Sequence, residues 1–182
     1  MDRGKRAPAR FGVRQMAIAG ILTAMTVVTT VFTKIPFPII LGYFNLGDAV
    51  VLIAGALFGG LTGAFAGAVG SAAADLLTGG YLFAPISLIV KGAEGLITGL
   101  LSDGWRRAGR RGRGLTPALI VGAAVMAAGD FIAEAAVLSF VDRAFGLGAA
   151  VAELPFNLVQ GGLSVALARV AVEGLKRSGI LR

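Results

Sequence analysis

Asp48, Asp75, Lys91, Glu94, Asp130, Glu134 and Glu153 interrupt long apolar runs, and Asn157 and Gln160 join them toward the end of the chain. Such residues can donate and accept hydrogen bonds and balance charge on a small solute. They are poor material for the commonest catalytic strategies. The chain has no His, so it lacks the commonest general base and transition-metal ligand, and no Cys, so thiolate chemistry and disulfides are excluded. It contains no G-x-x-x-x-G-K-[ST] phosphate loop, no H-E-x-x-H and no G-x-S-x-G. The chemistry these residues suit is recognition, with no resident cofactor or metal and no ATP hydrolysis by the phosphate-loop route.

The elements that must position them are membrane helices. Hydrophobic residues make up 56% of the 182 and charged residues 15%. Soluble domains average about 45–50% and about 25%. Mean hydropathy is +0.83. The 28 glycines also fit, because Gly is commoner in membrane helices than in soluble ones. The reading is an all-α integral membrane protein, a single membrane domain over 1–182.

A spanning helix needs about 20 apolar residues. Six fit. The first covers 13–32, too long and too far from Met1 for a cleaved signal peptide. Lys34-Ile-Pro-Phe-Pro breaks it, and 39–45 reads as a surface loop. Residues 46–77 are enough for two short helices broken at Gly59-Gly60-Leu61-Thr62-Gly63. The fourth span covers 84–101. The fifth starts at Thr116-Pro117 and ends near 141. The sixth runs over 147–172, with a bend expected at Pro155. Helices one to four thus fall within 13–101 and helices five and six within 116–175, flanking a basic loop at 102–115.

The net charge of +7 is unevenly placed. Arg3, Lys5, Arg6, Arg10 and Arg14 precede the first span. Arg106, Arg107, Arg110, Arg111 and Arg113 fill the loop after the fourth. Lys176, Arg177 and Arg182 close the chain. Basic loops face the cytoplasm. Six spans place all three clusters, and both termini, on the cytoplasmic side, whereas five or seven leave a cluster outside. This pattern belongs to membrane topology rather than to nucleic-acid binding.

A charge inside the bilayer costs about 2.5–3.5 kcal/mol on the insertion scale, so each buried charge needs a partner or a task. With this topology, Asp48 opens span two and Asp75 closes span three on the outer side. Lys91 lies about 10 Å below the outer surface at 1.5 Å per residue, with Glu94 one turn deeper. Asp130, Glu134 and Asn157 fall in the same outer half, and the inner half is expected to hold almost no polar groups. The expectation is an outward-facing polar pocket of Asn45, Asp48, Asp75, Tyr81, Lys91, Glu94, Asp130, Glu134, Asn157 and Gln160. Acids outnumber Lys91, which favours a cationic or donor-rich solute over an anion. The structural reading of the same residues is helix-to-helix pairing, with Lys91 bonded to Glu94 or Glu134. Tyr43, Phe44, Tyr81, Phe83 and Phe156 suit stacking on a planar ring at the mouth or an interfacial aromatic belt.

Small residues recur with helical spacing. Gly55, Gly59, Gly63 and Gly67 come every four residues and suit close backbone packing. Ala17, Gly20 and Ala24 line one face of span one, flat enough to meet a neighbour in the chain or a separate protein.

The segment Gly42-Tyr43-Phe44-Asn45-Leu46-Gly47-Asp48, running into Leu57-Phe58-Gly59-Gly60-Leu61-Thr62-Gly63, resembles the substrate-binding S components of energy-coupling factor (ECF) vitamin transporters. Ala84-Pro85, Lys91-Gly92, Gly95 and Leu154-Pro155-Phe156-Asn157-Leu158-Val159-Gln160 carry the likeness further, toward the riboflavin, hydroxymethylpyrimidine and pyridoxine subgroup. The resemblance implies a multi-pass protein of the prokaryotic cell membrane that is not itself an enzyme. Such a subunit captures a vitamin or precursor from outside, docks on a transmembrane scaffold protein bound to two ATPases, topples and releases the solute inside. Docking uses small residues of helix one, for which Ala17, Gly20 and Ala24 are the match here. Two other classes compete. A lipid head-group enzyme needs acidic metal ligands near the cytoplasmic face, and the acids lie at the other end. An autonomous proton-coupled carrier or channel needs polar groups through the full depth.

Overall fold

The computed structural model describes residues 12–36, 42–107 and 114–179. Arg3, Lys5, Arg6, Arg10, Arg110, Arg111, Arg113 and Arg182 therefore lie outside the described residues, as do 37–41 in the first loop; the side chain of Arg106 is likewise not described.

Six helices form. They are α1 (Val13–Thr33), α2 (Gly47–Phe58), α3 (Gly60–Leu77), α4 (Ala84–Arg107), α5 (Leu115–Ile132) and α6 (Leu147–Arg177). All but α2 are long and apolar enough to cross a membrane. The 12 residues of α2 reach only about 18 Å at 1.5 Å per residue. This short helix is the centre of the bundle, touching α1, α3, α4, α5 and α6. Leu52 and Ala56 of α2 pack on Leu119 of α5 and Ala168 of α6. On its other side, Val50 and Ala54 meet Leu22 of α1 and Ala66 of α3.

Gly59 makes the break between α2 and α3. Its φ of 94° is one that side-chain-bearing residues rarely adopt. Its periodic companions Gly55, Gly63 and Gly67 do the packing. A Cβ on Gly63 would lie 2.6 Å from both Gly55 Cα and Gly95 O, so α2, α3 and α4 meet backbone to backbone at this point. No larger residue fits that crossing, as expected of helix contacts in lipid.

Two features depart from the helix-and-loop expectation. The first loop carries a short antiparallel pairing of β1 (Ile35–Pro36) with β2 (Tyr43–Phe44), in register Ile35 to Phe44. The end of α5 widens into a π-turn over Ala133–Val137 and tightens into a 3-10 turn over Leu138–Phe140. The sixth span is one helix as expected, α6 passing through Pro155 over 31 residues. A proline costs a helix one backbone hydrogen bond, which the neighbouring turns here sustain without ending the element.

On α1, Ala17, Gly20 and Ala24 are exposed, and nothing lies within 4 Å of a Cβ built on Gly20. The small-residue face is turned away from the bundle, which settles that no neighbour inside the described chain covers it.

Candidate functional site

The charged residues gather at one end of the bundle, where α2 begins, α3 ends and α4 begins. This is the end opposite the α4–α5 connection. Lys91 is at the centre, 5% exposed. Its Nζ lies 2.9 Å from Asp48 Oδ1 and donates to Asp48 Oδ2 at 3.1 Å, with Asp130 Oδ2 at 3.5 Å. The partners expected from sequence were Glu94 and Glu134; those found are Asp48 and Asp130. The reason is geometric. Asp48, in the first turn of α2, faces α4 at the level of Lys91, and Asp130 faces it from α5, so one ammonium ties three helices. Glu94 points deeper along the same helix.

A second tie crosses to α6. Gln160 Nε2 donates to Asp48 Oδ2 at 2.6 Å, and Gln160 Oε1 accepts from the Asn45 backbone N–H at 2.8 Å. Asn45 Oδ1 in turn accepts from Gly47 N–H at 2.8 Å, the local bond by which Asn stabilises a turn. Leu46 N–H donates to Thr33 Oγ1 at 2.9 Å. The first loop is thus bound to α1, α2 and α6.

Asp75 is fully buried and spoken for by protein. Tyr43 Oη donates to its Oδ1, and Ser87 Oγ to its Oδ2 at 2.6 Å. Over the Tyr43 ring stands Lys34 Nζ, 3.8 Å from the centroid, which donates to Thr78 Oγ1 at 2.6 Å. Burial pushes the Tyr43 phenol above its ordinary range, and the Asp75 carboxylate pushes in the same direction. Burial also draws the Lys34 ammonium down, with Asp75 opposing. Phe83 meets Tyr43 edge-on at 6.1 Å and Phe145 at 5.7 Å.

Behind this aromatic wall lies a small cavity of about 40 Å³, lined by Gly42, Tyr43, Asn45, Phe83, Ile86, Ser87, Lys91, Asp130, Ala133, Glu134, Leu138, Glu153, Asn157 and Gln160. A shallower groove of about 330 Å³ adjoins it, sharing Gly42, Tyr43 and Phe83 and adding Lys34, Tyr81 and Phe145. Small-molecule sites usually measure about 300–1,000 Å³, a size the groove reaches and the cavity alone does not.

Of the residues expected from sequence, Asn45, Lys91, Asp130, Glu134, Asn157 and Gln160 line the cavity together. Asp48 and Asp75 stand behind it, held by the bonds above. Tyr81 is 69% exposed and lines only the outer groove. Phe44 is part of the strand pairing, and Phe156 lies outside both cavities. Glu94 is fully buried below Lys91, and neither carboxyl oxygen has a hydrogen-bond partner among the described residues. The depth below is not purely apolar, contrary to expectation. Thr98 and Ser102 continue the Glu94 line along α4, and Ser164 lies on α6, all buried with unpartnered hydroxyls.

Sequence reasoning counted Glu153 among the charges in apolar runs but left it out of the expected pocket, and it left out Ser87, Gly42 and the polar role of Tyr43. Glu153 was detectable, since it lies one turn before Asn157 and so on the same face of α6. A Cβ on Gly42 would overlap the Glu153 carboxyl group, so the first loop presses its backbone onto that acid. The π-turn carries Glu134 to Glu153, near enough for the two carboxyl groups to hydrogen-bond.

The family described as "ECF-type riboflavin transporter, S component" matches residues 10–177. The chain belongs to that family. This S component is therefore a transport subunit and a multi-pass membrane protein. It is 40% identical over 134 residues to an uncharacterised Pyrococcus woesei protein encoded in the gap 3' region, covering 73% of this chain and 82% of the relative. Its fold matches a solved structure described as the S component of a bacterial ECF transporter, with a TM-score of 0.70 and 19% identity. The match covers 90% of this chain and 96% of the other. At that identity the likeness speaks for the fold alone.

Proposed function

We propose that this S component captures a vitamin or vitamin precursor from outside the cell for an ECF-type importer. The solute sits in the outer groove and reaches into the cavity lined by Asn45, Lys91, Asp130, Glu134, Asn157 and Gln160. Asp48 and Asp75 hold those groups in place. The observation that supports this most is the polar cavity itself, at the bundle end opposite the basic α4–α5 loop. By the positive-inside rule that end faces outward, with both termini cytoplasmic in a single membrane domain. A transmembrane scaffold protein and two ATPases supply the energy, and the exposed face of Ala17, Gly20 and Ala24 is where the scaffold docks. Hydroxymethylpyrimidine or thiamine, pyridoxine and riboflavin are the candidate solutes.

The test is direct. Mass spectrometry of the detergent-solubilised protein is expected to find one co-purified small molecule. Lys91→Ala, Glu134→Ala and Asn157→Ala are each expected to weaken its binding. Unchanged affinity in all three variants removes this cavity as the site.

A second reading draws on the buried Glu94, Thr98 and Ser102 line, which extends polar character below the cavity along α4. An autonomous proton-coupled carrier needs such depth. Uptake that survives deletion of the partner ATPases supports the carrier and excludes the ECF reading.

A further inference from the structure

The cavity has more acceptors than it can satisfy. Its one cation, Lys91, is engaged by Asp48 and Asp130. Glu134 and Glu153 face each other across α5 and α6, and among the described residues no Lys or Arg forms an ion pair with either. Glu134 is 4% exposed, lines the cavity and leaves Oε1 without a hydrogen-bond partner. A buried carboxyl oxygen with no donor costs free energy until something supplies one. Even with a proton held between them, two carboxyl groups have more acceptor than donor sites.

We propose that the solute carries a cationic or amino nitrogen and docks it between Glu134 and Glu153, beneath the backbone of Gly42. The nitrogen supplies the missing donors and balances the acids, while Asn157, one turn from Glu153, addresses the rest of the solute. The Phe83 and Tyr43 wall gives a planar ring a surface to rest on. An anionic group at this position would face Glu134, Glu153 and Asp130 with Lys91 already engaged. The cavity thus rejects carboxylated solutes as well as selecting amines. This rests on the capture reading above and narrows it to a class of substrate.

A matched series tests it on the full chain in detergent. Pyridoxamine, pyridoxine and pyridoxate share one ring and differ in an aminomethyl, hydroxymethyl or carboxylate group; benzylamine, benzyl alcohol and benzoate repeat the comparison on a plain ring. Calorimetric affinities are expected to fall in the order amine, alcohol, carboxylate. Glu134→Gln with Glu153→Gln is expected to weaken amine binding roughly tenfold or more, since such a change removes a desolvated charge partner, and to bring the amine-to-carboxylate ratio toward one. A carboxylate bound as tightly as its amine, a ratio that the double variant leaves unchanged, or no binding of either amine at millimolar concentration overturns the proposal. The capture reading fails separately. A neutral or anionic co-purified solute whose binding is lost in Asn157→Ala leaves capture standing and removes only the charge class.

Discussion

The ammonium of Lys91 is shared by two carboxylates, and its removal leaves both without a counter-charge. Breaking a buried pair by deleting one partner costs about 3–5 kcal/mol. Lys91→Met is therefore expected to lower the thermal midpoint sharply in detergent. Adding Asp48→Asn to it is expected to recover part of the loss, because the uncompensated charge goes too. Tyr43→Phe removes one of the two donors to Asp75 and leaves Ser87 Oγ alone. Leaving a buried acceptor short of a donor costs about 1–3 kcal/mol, so a stability loss of that size is expected in chemical or thermal unfolding. The types of these residues were legible in the sequence, because a charge in an apolar run stands out. Their pairing was not. Spacing along α4 relates Lys91 to Glu94, but nothing local relates it to Asp48, 43 residues away. Which acids turn toward solute and which toward protein is a property of three helices at once.

At the scale of elements, the glycines divide by what surrounds them. Gly95→Ala puts a methyl group into the α3 backbone at the crossing with Gly63, where overpacking costs about 1–3 kcal/mol. Gly20→Ala, on the open face of α1, is expected to be neutral or mildly stabilising, since Ala is the better helix former by about 1 kcal/mol. Comparing the two midpoints checks the division. The helices themselves were readable from hydropathy and from the breaks at Gly59 and Pro36, although α4 runs on from the expected end at 101 to Arg107 and α5 gives way to the π-turn after Ile132, short of the expected 141. The π-turn at Ala133–Val137 was not, because one extra residue in a turn leaves the apolar pattern nearly unchanged. That turn brings Glu134 beside Glu153, whereas Glu153 itself could have been placed from its spacing to Asn157 on α6. The strand pairing of the first loop also escaped, since two residues on each side are too few to show alternation.

For the whole molecule, orientation is the property from which the functional reading descends. The natural absence of cysteine makes it easy to measure. Tyr81→Cys at the cavity end and Ser178→Cys beyond α6 each add a single thiol. A membrane-impermeant maleimide applied to intact cells is expected to label the first and not the second, with the second labelled only after lysis. Labelling of Ser178→Cys in intact cells reverses the orientation and with it the direction of capture.

The length of α2 carries a consequence of its own. This central column stops after 12 residues, and no residue of it lines the polar cavity. It acts on the cavity as a pedestal, through Asp48 in its first turn, which holds the lining residues Lys91 and Gln160. Each residue of added helix moves what stands on it by about 1.5 Å, so four residues inserted ahead of Ala49 would shift Asp48 by about 6 Å and part it from both. The arrangement of the polar groups around the rim is therefore set partly by the height of one apolar helix that never touches the solute space.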